Sequence, residues 1–201
     1  MQFESEQQAS LFDLMKSDLP NFPPELLYHW LLPLAADIGW PPGPNSFELA
    51  VSSRWKGILK YPLDFWQRVS WRLSSLNPDT LNFDEHTLKG LSDLIGAHAH
   101  GEKNLLGILM GESSRPRFFR QVNQLLAAGT FTEPPVIVDV GDRAALVDGN
   151  HRMAALAWTA TDPAPRAVFE RKGLCPVALP NEHQFWIGIP ELGHFEDIDD
   201  L

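Results

Sequence analysis

Cysteine is almost absent from this chain of 201 residues: it has one, which excludes an intramolecular disulfide and is typical of a reducing compartment. Basic residues are also few, since 16 lysines and arginines stand against 26 aspartates and glutamates. The net charge of −10 disfavours binding to nucleic acid and to anionic membranes. The most apolar run, residues 26–36, is too short to cross a bilayer. No basic segment followed by an apolar run stands at the N-terminus, so we expect no secretory signal and a cytoplasmic location.

Apolar residues make up 44% of the chain and include seven tryptophans and twelve phenylalanines, enough for a packed core. Apolar residues at helical spacing, and capping patterns that begin at Ser5, Asn82 and Ser114, indicate a chain that is mostly helical before residue 130. A break or kink is expected at Pro33. Helices are predicted over residues 6–19, 24–32, 62–76, 83–95, 105–110 and 115–128.

The clearest break in the chain is the GWPPGP segment, residues 39–44. We therefore predict a helical N-terminal arm, residues 1–44, and a second domain, residues 45–201. Outside the stretch described next, alternating or β-branched residues predict strands at residues 48–55, 167–170, 176–179 and 185–189, the last of them at an edge of the sheet.

The most informative stretch is residues 134–158, PPVIVDVGDRAALVDGNHRMAALAW. It combines a β-branched run, a Gly-Asp turn, a second apolar run and an alanine-rich segment with helical periodicity. This order predicts a strand over residues 136–140, a turn at Gly141, a strand over residues 144–147 and a helix from about His151.

The loop between the second strand and that helix carries groups that suit an anion. A helix N-terminus presents free backbone N–H groups and a positive partial charge, which favour phosphate. Gly149 permits close approach of the backbone, and Arg152 adds a planar fork of donors. His151 can donate, accept or titrate near neutrality, and Asp148 can cap the helix or hold a metal ion. A plain capped helix with two exposed polar residues is the alternative interpretation.

LVDGNHRMAAL, preceded by PPVIVDV, resembles the signature of the ParB/sulfiredoxin-like superfamily, which has a strand pair followed by a G-x-x-R-x-x-A loop and helix. The resemblance covers a core motif over residues 125–180. It implies that the loop binds nucleotide phosphates. The matching residues are Gly149, Asn150, His151, Arg152 and Ala155.

The sequence departs from the family pattern at positions that some functions of the family require. Asn150 stands where sulfiredoxins have their catalytic cysteine, so sulfiredoxin activity is not expected. The second phosphate motif of ParB partition proteins is missing, so a CTP-gated DNA clamp is not expected either. The DGN-R letters also match part of the Fic motif, but the essential histidine would fall at Ala144 and the preceding strands contradict a Fic helix.

We therefore predict an α+β fold, a small mixed sheet with a ParB/sulfiredoxin-like core and a large helical N-terminal part. The predicted function is nucleotide binding with phosphoryl transfer or nucleotide hydrolysis, using a nucleoside triphosphate or diphosphate with Mg²⁺. Asp148, His151 and Arg152 are the predicted catalytic residues, and Asp148 is the predicted metal ligand, with Glu133 or Asp142 as substitutes. The acceptor would be a small molecule or a protein.

Two other functions fit the same residues. One is a non-enzymatic interaction module, such as an inhibitor or immunity-like protein, that keeps the fold and binds a basic partner through its acidic surface. The other is a ParB-like nuclease, which the net charge disfavours.

Three further clusters have less specific interpretations. His98, His100 and Glu102 form an H-x-H-x-E pattern that a metal ion could use, although a helix-terminal loop is the simpler interpretation. Basic residues also gather in two places and could assist anion binding. They are Arg54, Lys56 and Lys60 in the first place, and Arg115, Arg117 and Arg120 in the second.

Overall fold

The protein is seen in a computed structural model that describes residues 3, 5–40, 52–59, 61–105, 108 and 113–191. Within these residues, four strands form one mixed sheet in the order β1-β4-β2-β3, so the α+β prediction is confirmed. The strands are β1 (Val69–Leu76), β2 (Val136–Asp139), β3 (Ala144–Asp148) and β4 (His183–Pro190). The α-helices are α1 (Glu6–Asp18), α2 (Pro24–Leu26), α3 (Leu32–Ile38), α4 (Ser52–Leu59), α5 (Leu63–Trp66), α6 (Glu85–Ala99), α7 (Ser114–Ala128), α8 (Asn150–Thr161) and α9 (Ala164–Arg171).

The chain divides into two compact units, of which the first comprises residues 1–72, 138–140 and 186–201. In its described part, aromatic side chains form the core. Trp66 is fully buried and stacks on Trp71 with ring centroids 6.1 Å apart, while Phe22 meets the edge of Trp71 at 4.8 Å. The Asn21 amide donates to the main-chain oxygens of Trp66 and Val69, at 2.8 and 2.6 Å. These bonds hold the start of β1 against the aromatic cluster.

Gly188 in β4 tests how tightly this core is packed. A Cβ atom at this position would lie 2.8 Å from Val69 Cγ1 and 3.0 Å from the Trp71 ring. Because overpacking of this kind typically costs 1–3 kcal/mol, Gly188→Ala should lower the unfolding free energy by about 1–2 kcal/mol. Gly90→Ala is the matched control, since its Cβ meets nothing within 4 Å and alanine favours a helix by about 0.5–1 kcal/mol. Urea unfolding should therefore give shifts of opposite sign, and equal shifts would contradict the packing.

A break or kink was predicted at Pro33, and the helix does not break there. A π-helical turn over Leu27–Leu31 joins α2 to α3, and Pro33 is the second residue of α3. The helical segment therefore continues through Pro33 to Ile38.

The second unit comprises residues 73–137 and 141–185. Here α8 packs against both α7 and α6. Ala154 and Ala155 on α8 are fully buried, and their small side chains permit the close approach of α7, whose Phe118 and Leu125 are also fully buried. At β3, Phe83 makes a parallel bridge with Ala144 that lengthens the paired region. The alanine-rich helix predicted after residue 150 is thus a core helix.

The caps differ partly from the predictions. Ser5 caps α1 by accepting from the N–H of Gln8, as predicted. The cap of α6 is Asp84, which accepts from the N–H of Thr87, and not Asn82. The Asn82 side chain does not cap α6, and its amide donates instead to the main-chain oxygen of Asp142. The predicted cap Ser114 is instead the first residue of α7, and its hydroxyl has other partners described below.

The helix predicted over residues 62–76 is wrong beyond Trp66, because β1 occupies Val69–Leu76. The apolar residues Trp66, Val69 and Leu73 match a helical period, but Val69, Trp71 and Leu73 also alternate. Hydrogen-bonded pairing with β4, more than 100 residues away along the chain, favours the strand over the helix.

The C-terminal strand predictions are also partly wrong. Residues 167–170 belong to helix α9, which has Pro165 in its first turn, and residues 176–179 have no regular structure. Residues 185–189 do form a strand, but β4 lies between β1 and β2 and is not an edge strand.

Other predictions fall wholly or partly outside the described residues. The strand predicted over residues 48–55 is helical from Ser52, and its earlier part lies outside. Most of the helix predicted over residues 105–110 and the domain boundary at residue 44 lie outside as well. Within the described ranges, no helix has the length and apolar character needed to cross a membrane.

Candidate functional site

The predicted loop connects β3 to α8 as expected. Asp148 ends β3, Gly149 has the left-handed conformation (φ 98°, ψ 20°), and α8 begins at Asn150. No side chain caps this helix. The backbone N–H groups of its first turn are therefore not covered by a capping oxygen, and they lie beside a cleft that Asn150, His151 and Arg152 help to line.

Gly149 is required here by both conformation and space. A Cβ would lie 2.9 Å from Pro135 Cβ and 3.1 Å from Arg152 Nε. Gly149→Ala should therefore lower the unfolding free energy by about 2 kcal/mol, from backbone strain and the clash together. Gly141→Ala is the control, because Gly141 also has a positive φ (90°) but its Cβ would meet nothing within 4 Å. If chemical denaturation shows equal losses for the two variants, Pro135 does not constrain the loop.

The Arg152 guanidinium is held by Asp148 and Glu133, which belong to the same compact unit as Arg152. It donates to the Asp148 carboxylate and, at 3.0 Å, to the main-chain oxygen of Glu133, and its Nη1 lies 3.6 Å from Glu133 Oε2. The Arg152 side chain is 11% exposed, whereas those of Asp148 and Glu133 are 34% and 42% exposed. Arg152 therefore fastens the loop to the segment before β2.

The ion pairs of Arg152 with Asp148 and Glu133 argue against the metal ligand predicted at Asp148. The two carboxylates that line the cleft, Asp148 and Glu133, both face the Arg152 guanidinium, which takes the place a cation would need between them. Among the described residues, no group of three or more histidine, cysteine or acidic side chains could hold a metal ion. The residues present do not fit a protein-bound Mg²⁺, and we derive no step through one. Asp142 lies on an exposed turn and does not line the cleft.

His151 takes part in a chain of hydrogen bonds that the local sequence did not reveal. Its Nε2 lies 2.7 Å from Ser114 Oγ, and His98 Nε2 lies 2.7 Å from the same oxygen. Ser114 and His98 are 2% and 4% exposed. His98 is thus used in a buried contact and not with His100 and Glu102 at a metal. The three residues come from α6, α7 and α8, so no sequence spacing signals their meeting.

The pKa of His151 is lowered to about 4, first by burial and then by His98, Arg117 and Arg152. Since an unfolded histidine has a pKa of about 6.5, the unfolded chain takes up a proton below this pH and the folded chain does so only near pH 4. The unfolding free energy should therefore fall as the pH drops from about 6.5 to 4, by on the order of 2 kcal/mol from this residue, and then level off.

The test compares urea unfolding at pH 7 and pH 4.5. His151→Gln should lose less stability over this window than the wild type, because glutamine does not titrate. His86→Gln is the control, since it removes a histidine from an exposed position of α6. If His151→Gln keeps the wild-type pH dependence, His151 is not held neutral by the fold.

The cleft beside the loop has a volume of about 650 Å³. Helix α7 also lines this cleft and contributes two exposed arginines, Arg117 and Arg120. Neither forms a hydrogen bond or ion pair with another described residue. The lining residues are Arg117, Arg120, Gln121, Gln124, Thr132, Glu133, Asp148, Gly149, Asn150, His151 and Arg152.

Comparison with protein-family models, curated proteins and solved structures gives no match to the chain. The site must therefore be interpreted from its own geometry. Among the described residues, it combines a helix N-terminus without a side-chain cap, two guanidinium groups without an ion pair and a neutral imidazole around one cleft, in a chain whose net charge is −10. Such a cleft can bind an anion by hydrogen bonds and charge.

The remaining candidates do not join this cleft. Arg115 lies over the Phe119 ring, 5.6 Å from its centroid. Lys60 and the side chains of Arg54 and Lys56 lie outside the described part of the chain. Among the described side chains of the two basic clusters, only Arg117 and Arg120 line the cleft.

Proposed function

We propose that the protein binds a nucleotide, through its phosphate groups, in the cleft between α7 and the loop of residues 148–152. The observation that carries the proposal is that Arg117 and Arg120 line the same cleft as the uncapped N-terminus of α8. Guanidinium groups and helix N-terminal amides are both phosphate donors, and here they share one cleft. A volume of about 650 Å³ suits a ligand of nucleotide size.

The roles within this proposal differ among the predicted residues. Gly149, Asn150 and His151 contribute the backbone at the N-terminus of α8. Arg117 and Arg120 supply the positive charge. Arg152 acts mainly by holding the loop, because Asp148 and Glu133 already occupy its donors. The resemblance of the loop to the ParB/sulfiredoxin-like superfamily supports the same assignment of ligand.

Phosphoryl transfer or nucleotide hydrolysis is the reaction proposed for this site, with a small molecule, a protein or water as acceptor. Arg117 and Arg120 would stabilise the charge on the phosphoryl oxygens. His151, neutral at pH 7, would donate a hydrogen bond to one of those oxygens. Release of inorganic phosphate from ATP, compared between the wild type and His151→Gln, tests this step separately from binding.

Thermal and chemical unfolding with ATP, ADP, GTP and CTP, each with and without Mg²⁺, test the binding itself. A nucleotide at 100 times its dissociation constant should raise the unfolding free energy by about 2.7 kcal/mol. If no nucleotide stabilises the protein, the proposal fails and a non-enzymatic interaction module becomes the better interpretation.

A further inference from the structure

The residues of α7 that line the cleft form one stripe along the helix. Relative to the first of them, the others follow at spacings of three, four and seven, which place them on one helix face. They are Arg117, Arg120, Gln121 and Gln124. At a rise of about 1.5 Å per residue, the stripe extends about 10 Å along the helix. Its character changes along the way, because two arginines are followed by two uncharged amides.

The position of α8 indicates which end of the stripe lies beside the phosphate donors. His151, in the first turn of α8, lies beside the start of α7, where its Nε2 is 2.7 Å from Ser114 Oγ. Arg117 is within one turn of Ser114 on α7. The helix N-terminus and the first arginine therefore meet at the start of α7. A phosphate held there leaves the cleft beside Gln121 and Gln124 for the rest of the ligand.

Gln121 is a cleft residue whose side chain the protein leaves unsatisfied. Its Oε1 is buried and accepts no hydrogen bond, and no described residue bonds to the rest of the carboxamide. Turning the amide by 180° would bury the NH₂ group in its place, so either orientation leaves one polar end buried without a protein partner. Such groups are unfavourable and few in folded proteins. The Gln121 amide therefore needs a partner from outside the fold.

The base of a nucleotide has the groups that this amide lacks. A carboxamide presents an acceptor and a donor side by side, and glutamine uses both together to bind the edge of a base. The terminal torsion of glutamine is soft, so the carboxamide can turn from its buried position towards the cleft. Pyrophosphate has no N–H group to offer Oε1. The amide thus favours a ligand that carries a base beyond its phosphates.

We propose that Gln121 is the specificity-determining residue of the cleft, and that its carboxamide binds the base of a nucleotide whose phosphates lie between Arg117 and the N-terminus of α8. This role rests on the proposed phosphate site and adds what separates a nucleotide from a simple polyphosphate. The amide selects for the presence of a base and not for one base over another, since the pairing edge of each base has a donor beside an acceptor.

Calorimetric titration with ADP and with pyrophosphate, each on the wild type and on Gln121→Met, tests the proposal. Methionine keeps the unbranched side chain and the helix preference of glutamine but removes the amide. Gln121→Met should weaken ADP binding roughly 10-fold and leave pyrophosphate binding within about 2-fold of the wild type. Gln184→Met is the matched control, because it makes the same change at an exposed position of β4 that does not line the cleft.

Urea unfolding without ligand separates binding from a structural role. Because Gln121 has no hydrogen bond to lose, Gln121→Met should leave the urea midpoint unchanged or raise it. A lower midpoint would show that the amide stabilises the fold, and would contradict the proposal.

The two ligands also separate this inference from the proposed function. Arg117→Ala combined with Arg120→Ala should weaken ADP and pyrophosphate by the same factor, since both ligands carry the phosphates. If neither ligand binds the wild type, the phosphate site and the role of Gln121 are both wrong. If both bind, but Gln121→Met weakens neither or weakens both equally, the phosphate site stands and the role of Gln121 is wrong.

Discussion

Replacing Arg117 and Arg120 together by alanine is expected to weaken ADP binding roughly 100-fold, since two charge-assisted hydrogen bonds of about 1.5 kcal/mol each would be lost. The fold should barely change, because both side chains are exposed and unpaired among the described residues. A surface change of this kind usually stays within about 0.5 kcal/mol of stability. Calorimetric titration with ADP and urea unfolding measure the two effects.

The control is Arg143→Ala combined with Arg171→Ala. This pair removes the same charge from exposed positions that do not line the cleft. Equal weakening in both double variants would show that overall charge governs binding. If the Arg117 and Arg120 double variant binds ADP as tightly as the wild type, these two arginines of α7 do not bind the anion.

Arg152→Ala should lower the unfolding free energy by about 3 kcal/mol. The motif alone suggests a small effect, because a cation in the first turn of a helix opposes the helix dipole. The structure changes this expectation, since the guanidinium is only 11% exposed and bonds to Asp148 and the Glu133 carbonyl. Removing one partner of a buried ion pair costs about 3–5 kcal/mol, and the partial exposure of Asp148 places the expected loss at the lower end.

Arg152→Lys and the double variant Arg152→Ala with Asp148→Ala refine this measurement. Lysine keeps the charge but lacks the planar fork, so it should recover only part of the stability. The double variant should be more stable than Arg152→Ala, because no carboxylate at position 148 is then left without its partner. If Arg152→Ala is as stable as the wild type but no longer binds ADP, Arg152 is a ligand-binding residue and not a structural one.

The strand pair and loop could be predicted from the sequence because local patterns determine them. Residues 136–140 and 144–147 are apolar runs separated by a glycine that has a positive φ, and the alanine-rich helix follows directly. The strand β1 could not be predicted in this way. Its residues satisfy both periodicities, and the partner that decides between them, β4, lies far along the chain. The β-branched Val168 and the aromatic Phe169 favour a strand where helix α9 lies, although Pro165 and Gly173 are typical of a helix start and end.

The site shows the same division. The loop conformation over residues 148–152 follows from local sequence patterns, and so does the grouping of arginines at the start of α7. The contacts that link His151, Ser114 and His98 could not be predicted, because Ser114 and His98 are 37 and 53 positions away from His151 on other helices. The pairing of Arg152 with Glu133 was likewise hidden, since the contact uses a main-chain oxygen 19 positions away.

Backbone amide chemical shifts of the ¹⁵N-labelled protein, recorded during a titration with ADP, test the proposed phosphate site most directly. The largest changes should fall on the first turn of α8, residues 150–152, on Gly149, and on the part of α7 from Arg117 to Gln124. Inorganic phosphate should move the α8 amides in the same direction at higher concentration. Shifts that appear only elsewhere, or none at saturating ADP, would contradict the account.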